Sequence, residues 1–160
     1  MSVKKNSVVL LQGVFAPSLF DLLKTRKIKE VFILEGRPGL DAAKHSCREL
    51  LKRKIKPTLI ADNMAGFLFY KSLVKEVWLS YQSTDKSGAL CQIGGLICGV
   101  LGWKHKIPVY AYPSGQKLKL LGRPNDISYF NGIKVAPNNI PGYVPLVEQV
   151  PKKYIDKTYG

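Results

Sequence analysis

The order of elements is clearest between residues 74 and 112, which read VKEVWLSYQSTDKSGALCQIGGLICGVLGWKHKIPVYAY. Short apolar runs at 77–79 and 108–111 predict two buried strands, and the glycine-rich run at 92–105 predicts a helix between them. A strand, a crossover helix and a second strand make one unit whose two strands are parallel. This stretch therefore predicts an α/β protein with a parallel sheet.

The same alternation extends toward the N-terminus. Apolar runs that are bounded by turn residues indicate further buried strands, and an amphipathic segment follows each of them. We therefore predict a Rossmann-like three-layer sandwich, mainly parallel, in which residues 1–160 form a single domain. The predicted strands are 7–12, 31–34 and 58–61, and the predicted helices begin at Pro17, cover 41–54, and run from Asp62 through Tyr70.

The alternation stops after Gly115. The pair Asn131-Gly132 within residues 126–135 predicts a β-hairpin, because both residues tolerate the positive φ angles of a tight turn. We expect the last residues to form an extended wrap on the outside of the domain, since prolines recur there, at positions 137, 141, 145 and 151.

Composition narrows the class of protein. The net charge of +14 favours anionic partners, either phosphorylated small molecules, nucleic acid or an acidic protein surface. The longest apolar run is too short to span a membrane, and MSVKK lacks the apolar core of a signal peptide. The three cysteines form no CxxC pair. We therefore expect a cytoplasmic protein with no membrane segment, no metal site and no cofactor.

Polar residues collect at the predicted carboxyl ends of the strands, where sheets of this kind bind ligands. Arg37 could hold a phosphate with two hydrogen bonds or could pair with Glu35. Asp62 and Asn63 could bind a ligand, although a cap at a helix N-terminus is the simpler role. The candidate ligand-binding residues are Arg37, Asp41, Asp62, Asn63, Gln82, Cys91 and Gln92.

Two further features each leave two interpretations open. Cys91 precedes a predicted helix, whose dipole would lower the thiol pKa, but cysteine is also an ordinary buried residue. Lys44, Arg48 and Lys52 lie four residues apart and form a basic face. That face is either a solvated helix surface or a contact for a nucleic-acid backbone.

Several segments in order resemble one protein family: FILEGRPGLDAAKHSCREL, TLIADNMAGFL, CQIGG, KIPVYAY and SYFNGIKVAPNN. They are similar to the C-terminal domain of methylthioribose-1-phosphate isomerase, of ribose-1,5-bisphosphate isomerase, and of the regulatory subunits of eukaryotic translation initiation factor 2B. The resemblance extends over about residues 8–159. It implies a Rossmann-like domain that forms a homodimer or a heteromer with a related subunit. Full-length relatives are expected to carry an N-terminal helical domain as well.

The resemblance also implies which groups the isomerases need. They convert an aldose 1-phosphate to a ketose with a cysteine after the first strand and an aspartate after the fourth, as an acid and base pair. The cysteine position falls at or next to Gly13 and the aspartate position at Gln82, and neither residue can titrate. Where the family has an Asn-Lys pair, this chain has Cys91-Gln92, and where the family has a glutamine, this chain has Asp41.

Three functions remain open at this stage. The first is a non-catalytic, initiation factor 2B-like relative that acts by subunit assembly and binds a phosphorylated ligand. The second is an aldose-ketose isomerase of a ribose 1-phosphate derivative with a rebuilt site that uses Cys91, Asp41, Asp62 or Asp85. The third is a nucleic-acid binder that uses the basic face of Lys44, Arg48 and Lys52.

Overall fold

The computed structural model describes residues 8–160. An eight-stranded sheet forms its centre, and a separate two-stranded hairpin lies outside that sheet. The strands are β1 (Val9–Gln12), β2 (Glu30–Leu34), β3 (Lys56–Ile60), β4 (Glu76–Asp85), β5 (Gly88–Gln92), β6 (Val109–Pro113), β7 (Tyr129–Phe130), β8 (Ile133–Lys134), β9 (Val147–Pro151) and β10 (Lys157–Thr158). The α-helices are α1 (Pro17–Thr25), α2 (Cys47–Lys52), α3 (Ala65–Tyr70) and α4 (Gly95–His105).

Six strands of the sheet are parallel, in the order β3-β2-β1-β4-β6-β10. Helices α1 and α2 pack on one face around Phe20 and Leu50, and α3 and α4 pack on the other around Leu68 and Cys98. β1 carries an unbroken buried run, as expected of a parallel strand that is covered on both faces. The predicted three-layer α/β architecture is confirmed. The predicted first strand began at Ser7, which lies outside the described residues.

The middle of the chain departs from the prediction in one respect. β4 continues past the predicted 77–79 to Asp85, and the chain then returns as the antiparallel strand β5. The predicted helix at 92–105 therefore begins only at Gly95. Gly94 separates the two elements with φ +98°, a left-handed conformation that glycine adopts without strain. A short apolar run does not distinguish a strand from a buried helix, so β5 could not be predicted from the sequence.

The predicted external wrap is wrong for much of the C-terminal segment. β9 pairs with β5 and β10 pairs with β6, so both belong to the central sheet. Pro151 is the last residue of β9, a position where a missing N–H does not interrupt the strand pairing. The predicted hairpin is confirmed as β7 and β8, and its turn residues Asn131 and Gly132 both have positive φ angles.

The predicted helix at 41–54 is shorter and irregular. It opens with a π-helical segment, Ala42–Ser46, and continues as α2 to Lys52. A π-helical turn contains an extra residue, so Lys44 and Arg48 do not keep the α-helical spacing from which the basic face was predicted.

Candidate functional site

The carboxyl ends of β1 and β2 lie beside Ser80 in β4 and Gln92 at the end of β5, and neutral side chains occupy the junction. Gln12 donates both hydrogens of its amide, to the carbonyl oxygens of Gln92 at 3.1 Å and Ile93 at 3.0 Å. Gln92 is only 7% exposed, and its Oε1 has no hydrogen-bond partner among the described residues. Two glutamines therefore form the floor of the site, and neither can accept or release a proton at neutral pH.

Gly13 follows β1, at or next to the position that the family resemblance assigns to a catalytic cysteine. Its φ is +94°, and a Cβ atom placed on it would lie 1.9 Å from Ser80 Oγ and 3.4 Å from Gln92 Oε1. A side chain at this position would therefore be strained and would collide with the Ser80 hydroxyl. With Ser80 in this rotamer, the space beside Gly13 is closed to a side chain.

Gln82, at the position assigned to the catalytic aspartate, contributes to strand-to-loop packing instead. Its Nε2 donates to the Leu118 carbonyl oxygen at 3.2 Å, and its Oε1 accepts from the Leu118 N–H. Both polar ends of the side chain are thus used to hold the segment after β6 against β4. Gln82 does not line either of the cavities that flank Arg37.

Asp62 does not cap a helix, so the predicted capping role is wrong. Its two carboxylate oxygens accept hydrogen bonds from the backbone N–H groups of Gly36 at 2.9 Å and Arg37 at 2.7 Å. Asp62 therefore fixes the loop that follows β2. Asn63 is exposed next to it, and no side-chain hydrogen bond caps the short 3₁₀ turn Asp62–Met64.

Arg37 forms no ion pair with Glu35 among the described residues, so that predicted pairing is wrong. Its guanidinium group donates to the carbonyl oxygens of Tyr129 at 2.7 Å and Ile127 at 3.2 Å. The same group lies 5.1 Å from the centre of the Phe130 ring. Arg37 therefore attaches the hairpin segment to the carboxyl end of β2, and two of its donors are unavailable to a phosphate.

The hairpin segment encloses a cavity of about 900 Å³ against the loop after β2. Its walls combine cations with carboxylates. Arg123 donates to Asp126 at 3.0 Å, but the Arg123 side chain is 87% exposed, so this ion pair contributes little stability. Lys44 has no carboxylate partner among the described residues. The polar lining residues are Arg37, Asp41, Lys44, Gln92, Arg123, Asn125, Asp126, Tyr129 and Asn131.

Cys91 does not lie at the start of a helix, so the predicted lowering of its thiol pKa is wrong. It lies in β5 within the hydrophobic core, and burial raises its pKa to about 12, with a further contribution from Glu148. Burial also raises the pKa of Cys98, in α4, to about 12. Neither thiol is a nucleophile at neutral pH in the folded chain.

The N-terminus of α4 is occupied by a carboxylate from the chain itself. Glu148 Oε1 accepts hydrogen bonds from the backbone N–H groups of Gly94 at 2.7 Å and Leu96 at 3.0 Å. Helix N-termini in sheets of this class commonly bind phosphate. Here Glu148 takes that place, so an anion would have to bind elsewhere.

The three residues of the predicted basic face lie in different environments. Lys44 lines the 900 Å³ cavity, whereas Lys52 forms an ion pair with Glu49 at 2.6 Å. Arg48 is exposed. Lys44 is thus the residue of this set that a small ligand in the cavity would contact.

Sequence reasoning missed the wall that residues 118–132 contribute, including Arg123 and Asp126. No spacing in the sequence indicates that a hairpin folds back over the strand ends. Within residues 8–160, no cluster of metal-ligating side chains is present, and no helix is long and apolar enough to cross a membrane.

Similar solved structures share this architecture. The translation initiation factor eIF-2B subunit delta from A. fulgidus superposes with a TM-score of 0.82 at 20% identity, over 96% of this chain and 51% of that one. The 5-methylthioribose 1-phosphate isomerase from Pyrococcus horikoshii gives a TM-score of 0.83 at 22% identity, over 98% of this chain and 50% of that one. These similarities support the Rossmann-like fold.

Similar sequences are named methylthioribose-1-phosphate isomerase. The protein from Desulfitobacterium hafniense is 34% identical over 137 residues, which are 78% of this chain and 40% of the relative. The protein from Thermus thermophilus is 27% identical over 155 residues, 89% of this chain and 47% of the relative. The chain thus spans less than half the length of these relatives. Because the model of the Initiation factor 2 subunit family matches residues 6–159, the chain belongs to that family.

Proposed function

We propose that this chain is a non-catalytic member of the family that acts by assembling with a second copy or a related subunit, and that binds a phosphorylated small molecule. The observation that carries the proposal is the closed space at Gly13, where a Cβ atom would lie 1.9 Å from Ser80 Oγ. An acid and base pair needs two titratable groups at the reacting carbons. The two assigned positions offer a glycine and an amide that is bound to the Leu118 backbone.

The names of the relatives favour a second candidate, an isomerase of a ribose 1-phosphate derivative with a rebuilt site. The titratable groups it could use are unfavourably placed. Cys91 is buried with a raised pKa, and Asp62 is held by two backbone N–H groups. Asp41 lines the larger cavity, as does Asp126. Turnover of the sugar phosphates separates the two candidates.

Assembly is supported by an apolar surface on α3 and α4, which we call the α3–α4 face. Monomeric proteins rarely expose large contiguous apolar patches, and such patches often mark contacts between proteins. The α3 and α4 helices contact each other, so the exposed side chains of both belong to one surface. The α3–α4 face consists of Met64, in the turn before α3, and of Phe67, Tyr70, Ile97, Val100 and Trp103.

A matched pair of substitutions tests the assembly. Trp103 lies on the α3–α4 face and Leu51 lies on α2 in the opposite layer, and both are 63% exposed. We expect the wild-type chain, or its mixture with a related subunit, to assemble, and we expect Trp103→Glu to abolish assembly while Leu51→Glu leaves it intact. Light scattering coupled to gel filtration gives the mass of each. Equal masses for all three proteins at every concentration would contradict the role of this face.

The phosphorylated ligand is proposed to bind in the 900 Å³ cavity, with Lys44 and Arg123 as its cations. Lys44→Gln and Lys52→Gln remove the same charge from the same helical segment, but only Lys44 lines the cavity. We expect ribose 1,5-bisphosphate to raise the melting temperature of the wild type and of Lys52→Gln, and not that of Lys44→Gln. If the ligand-induced rise in melting temperature were equally reduced in both variants, a general charge effect would be favoured over a specific site.

The same pair of variants tests the nucleic-acid alternative. A basic face that contacts a nucleic-acid backbone loses affinity for each cation removed, and its affinity falls steeply with salt. Weakened binding of a single-stranded oligonucleotide by Lys44→Gln and Lys52→Gln alike, with such a salt dependence, would replace the small-molecule proposal.

A further inference from the structure

A second cavity, of about 360 Å³, lies between the start of α4 and residues 143–148. It is separate from the larger cavity, although Arg37 and Pro38 contribute to both walls. Most of its lining is apolar and comes from Leu34, Ile93, Ile97, Ile127, Val144 and Pro145. A volume of this size lies at the lower end of the range for small-molecule sites. The cavity could therefore hold a small apolar body.

The polar residues of this second cavity include two carboxylates, which accept hydrogen bonds without donating any. The polar lining residues are Gln12, Arg37, Asp62, Asn63, Tyr143 and Glu148. Glu148 and Asp62 place two carboxylates in the wall, and each already holds two backbone N–H groups of its own loop. A carboxylate has about four lone-pair positions, so each retains the capacity to accept more hydrogen bonds. Arg37 is the cation in the lining, and its guanidinium group is bound to the hairpin carbonyl oxygens.

Gln12 adds an unsatisfied acceptor to this wall. The residue is 3% exposed and both hydrogens of its amide are donated to the Gln92 and Ile93 carbonyl oxygens. Its Oε1 is buried without a hydrogen-bond partner in the described part of the chain. A buried acceptor of this kind costs stability unless a donor reaches it. This oxygen has almost no accessible surface, so a ligand donor would reach it only if the Gln12 side chain rotated.

The negative charge of this cavity contrasts with the net charge of +14 of the whole chain. The negative charges of both carboxylates act on a thiol in the cavity wall. Burial raises the pKa of Cys98, which lines the cavity, to about 12, and the charges of Asp62 and Glu148 contribute to the same shift. The two carboxylates and the single guanidinium group in the lining leave one net negative charge in the wall, which favours a positively charged group over an anion.

We propose that the second cavity binds a small organic cation, with an ammonium or guanidinium head on an apolar body. The head would lie against Glu148 and Asp62, and the body would fill the space between Ile97, Ile127 and Val144. This cavity is not the proposed phosphate site, but it shares Ile97 with the α3–α4 face. Binding of the probes is measured directly, so its failure is distinguishable from failure of the assembly or turnover experiments.

Three probes of similar size but different head groups test the proposal on the wild-type chain. They are phenethylamine, which is cationic at pH 7, 2-phenylethanol, which is neutral, and 3-phenylpropionate, which is anionic. Titrations followed by ¹H–¹⁵N correlation spectra report on the amides of Gly94 and Leu96, which lie at Glu148. We expect saturable shifts with phenethylamine and at least about tenfold weaker effects with the other two, because opposite charges attract strongly in a partly buried site.

Two substitutions locate the binding. Glu148→Gln keeps an oxygen for the Gly94 and Leu96 amides but removes the charge, and we expect it to weaken phenethylamine binding about tenfold. Asp41→Asn removes a charge from the larger cavity only, and we expect no change. Equal shifts with all three probes, or the same loss in both variants, would overturn the proposal. Because the probes are compared on the wild type, the test holds even if Glu148→Gln fails to fold.

Discussion

The Arg37 guanidinium group lies 5.1 Å from the centre of the Phe130 ring and donates two hydrogen bonds to the carbonyl oxygens of the hairpin segment. Asp62 in turn holds the Arg37 backbone N–H. The two contacts connect the loop after β2 to the hairpin that forms the outer wall of the larger cavity. The shape of that cavity therefore depends on one arginine side chain.

Arg37→Ala is expected to loosen the hairpin rather than unfold the protein. It removes charge-assisted hydrogen bonds and a cation–π contact at the edge of the fold, together about 1–2 kcal/mol. Hydrogen exchange of the Val135 amide, which donates to the Ser128 carbonyl oxygen, should become faster, while amides of β1 stay protected. Arg123→Ala is the control, because its ion pair is exposed. Unchanged exchange at Val135 would show that Arg37 does not hold the hairpin.

Gly13→Ala is expected to destabilise the fold by about 1–3 kcal/mol, since it combines positive-φ strain with a collision at Ser80 Oγ. Gly132→Ala provides the matched control: Gly132 also has a positive φ, but nothing lies within 4 Å of the added atom. Denaturant unfolding should therefore show a larger decrease in the free energy of unfolding for Gly13→Ala than for Gly132→Ala. Adding Ser80→Ala to Gly13→Ala should restore part of the lost free energy of unfolding. If Gly13→Ala lost no more stability than Gly132→Ala, the space beside Ser80 would be open.

The cysteines are expected to differ in reactivity with Ellman's reagent. Burial raises the pKa values of Cys91 and Cys98 to about 12, so both remain neutral thiols at pH 8. Cys47 is partly exposed and should react first. All three should react rapidly in denaturant. Rapid labelling of Cys91 in the native chain would contradict its burial and would revive its candidacy as a nucleophile.

Glu49 is expected to contribute stability that disappears in acid. Hydrogen bonds from Lys52 and Arg53 lower its pKa from 4.5 to about 2. Because the pKa is lower in the folded state, this contribution is fully present above pH 4.5 and is lost as the pH falls toward 2. Thermal melts of the wild type and Glu49→Gln should therefore differ at neutral pH and converge near pH 2. Glu30→Gln, on the exposed start of β2, is the control.

The layers of the fold could be predicted from the sequence because five of the six parallel strands contain a local apolar run; the sixth, β10, is Lys157–Thr158 and could not be predicted. β5 and β9 could not, since they are defined by pairing with each other between residues 88–92 and 147–151. Their alignment depends on contacts that are distant along the chain, and local periodicity carries no information about such contacts.

The site was predictable in part for the same reason. The predicted strand ends placed Gly13, Arg37 and Asp62 at one edge of the sheet. The partners of these residues were hidden, because Asp62 bonds to the backbone of another loop and Arg37 bonds to the hairpin. A residue type indicates which contacts are possible, and the tertiary fold decides which of them form.

Turnover of methylthioribose 1-phosphate and ribose 1,5-bisphosphate by the wild-type chain tests the central claim most directly. Because Gly13 and Gln82 leave the assigned positions without a group that titrates, we predict that no ketose forms above the protein-free control, even with protein and substrate at equal concentration. The product can be followed by ³¹P spectra. Ketose formation that scales with protein concentration, and that Cys91→Ser or Asp62→Asn abolishes while Cys47→Ser does not, would contradict the account.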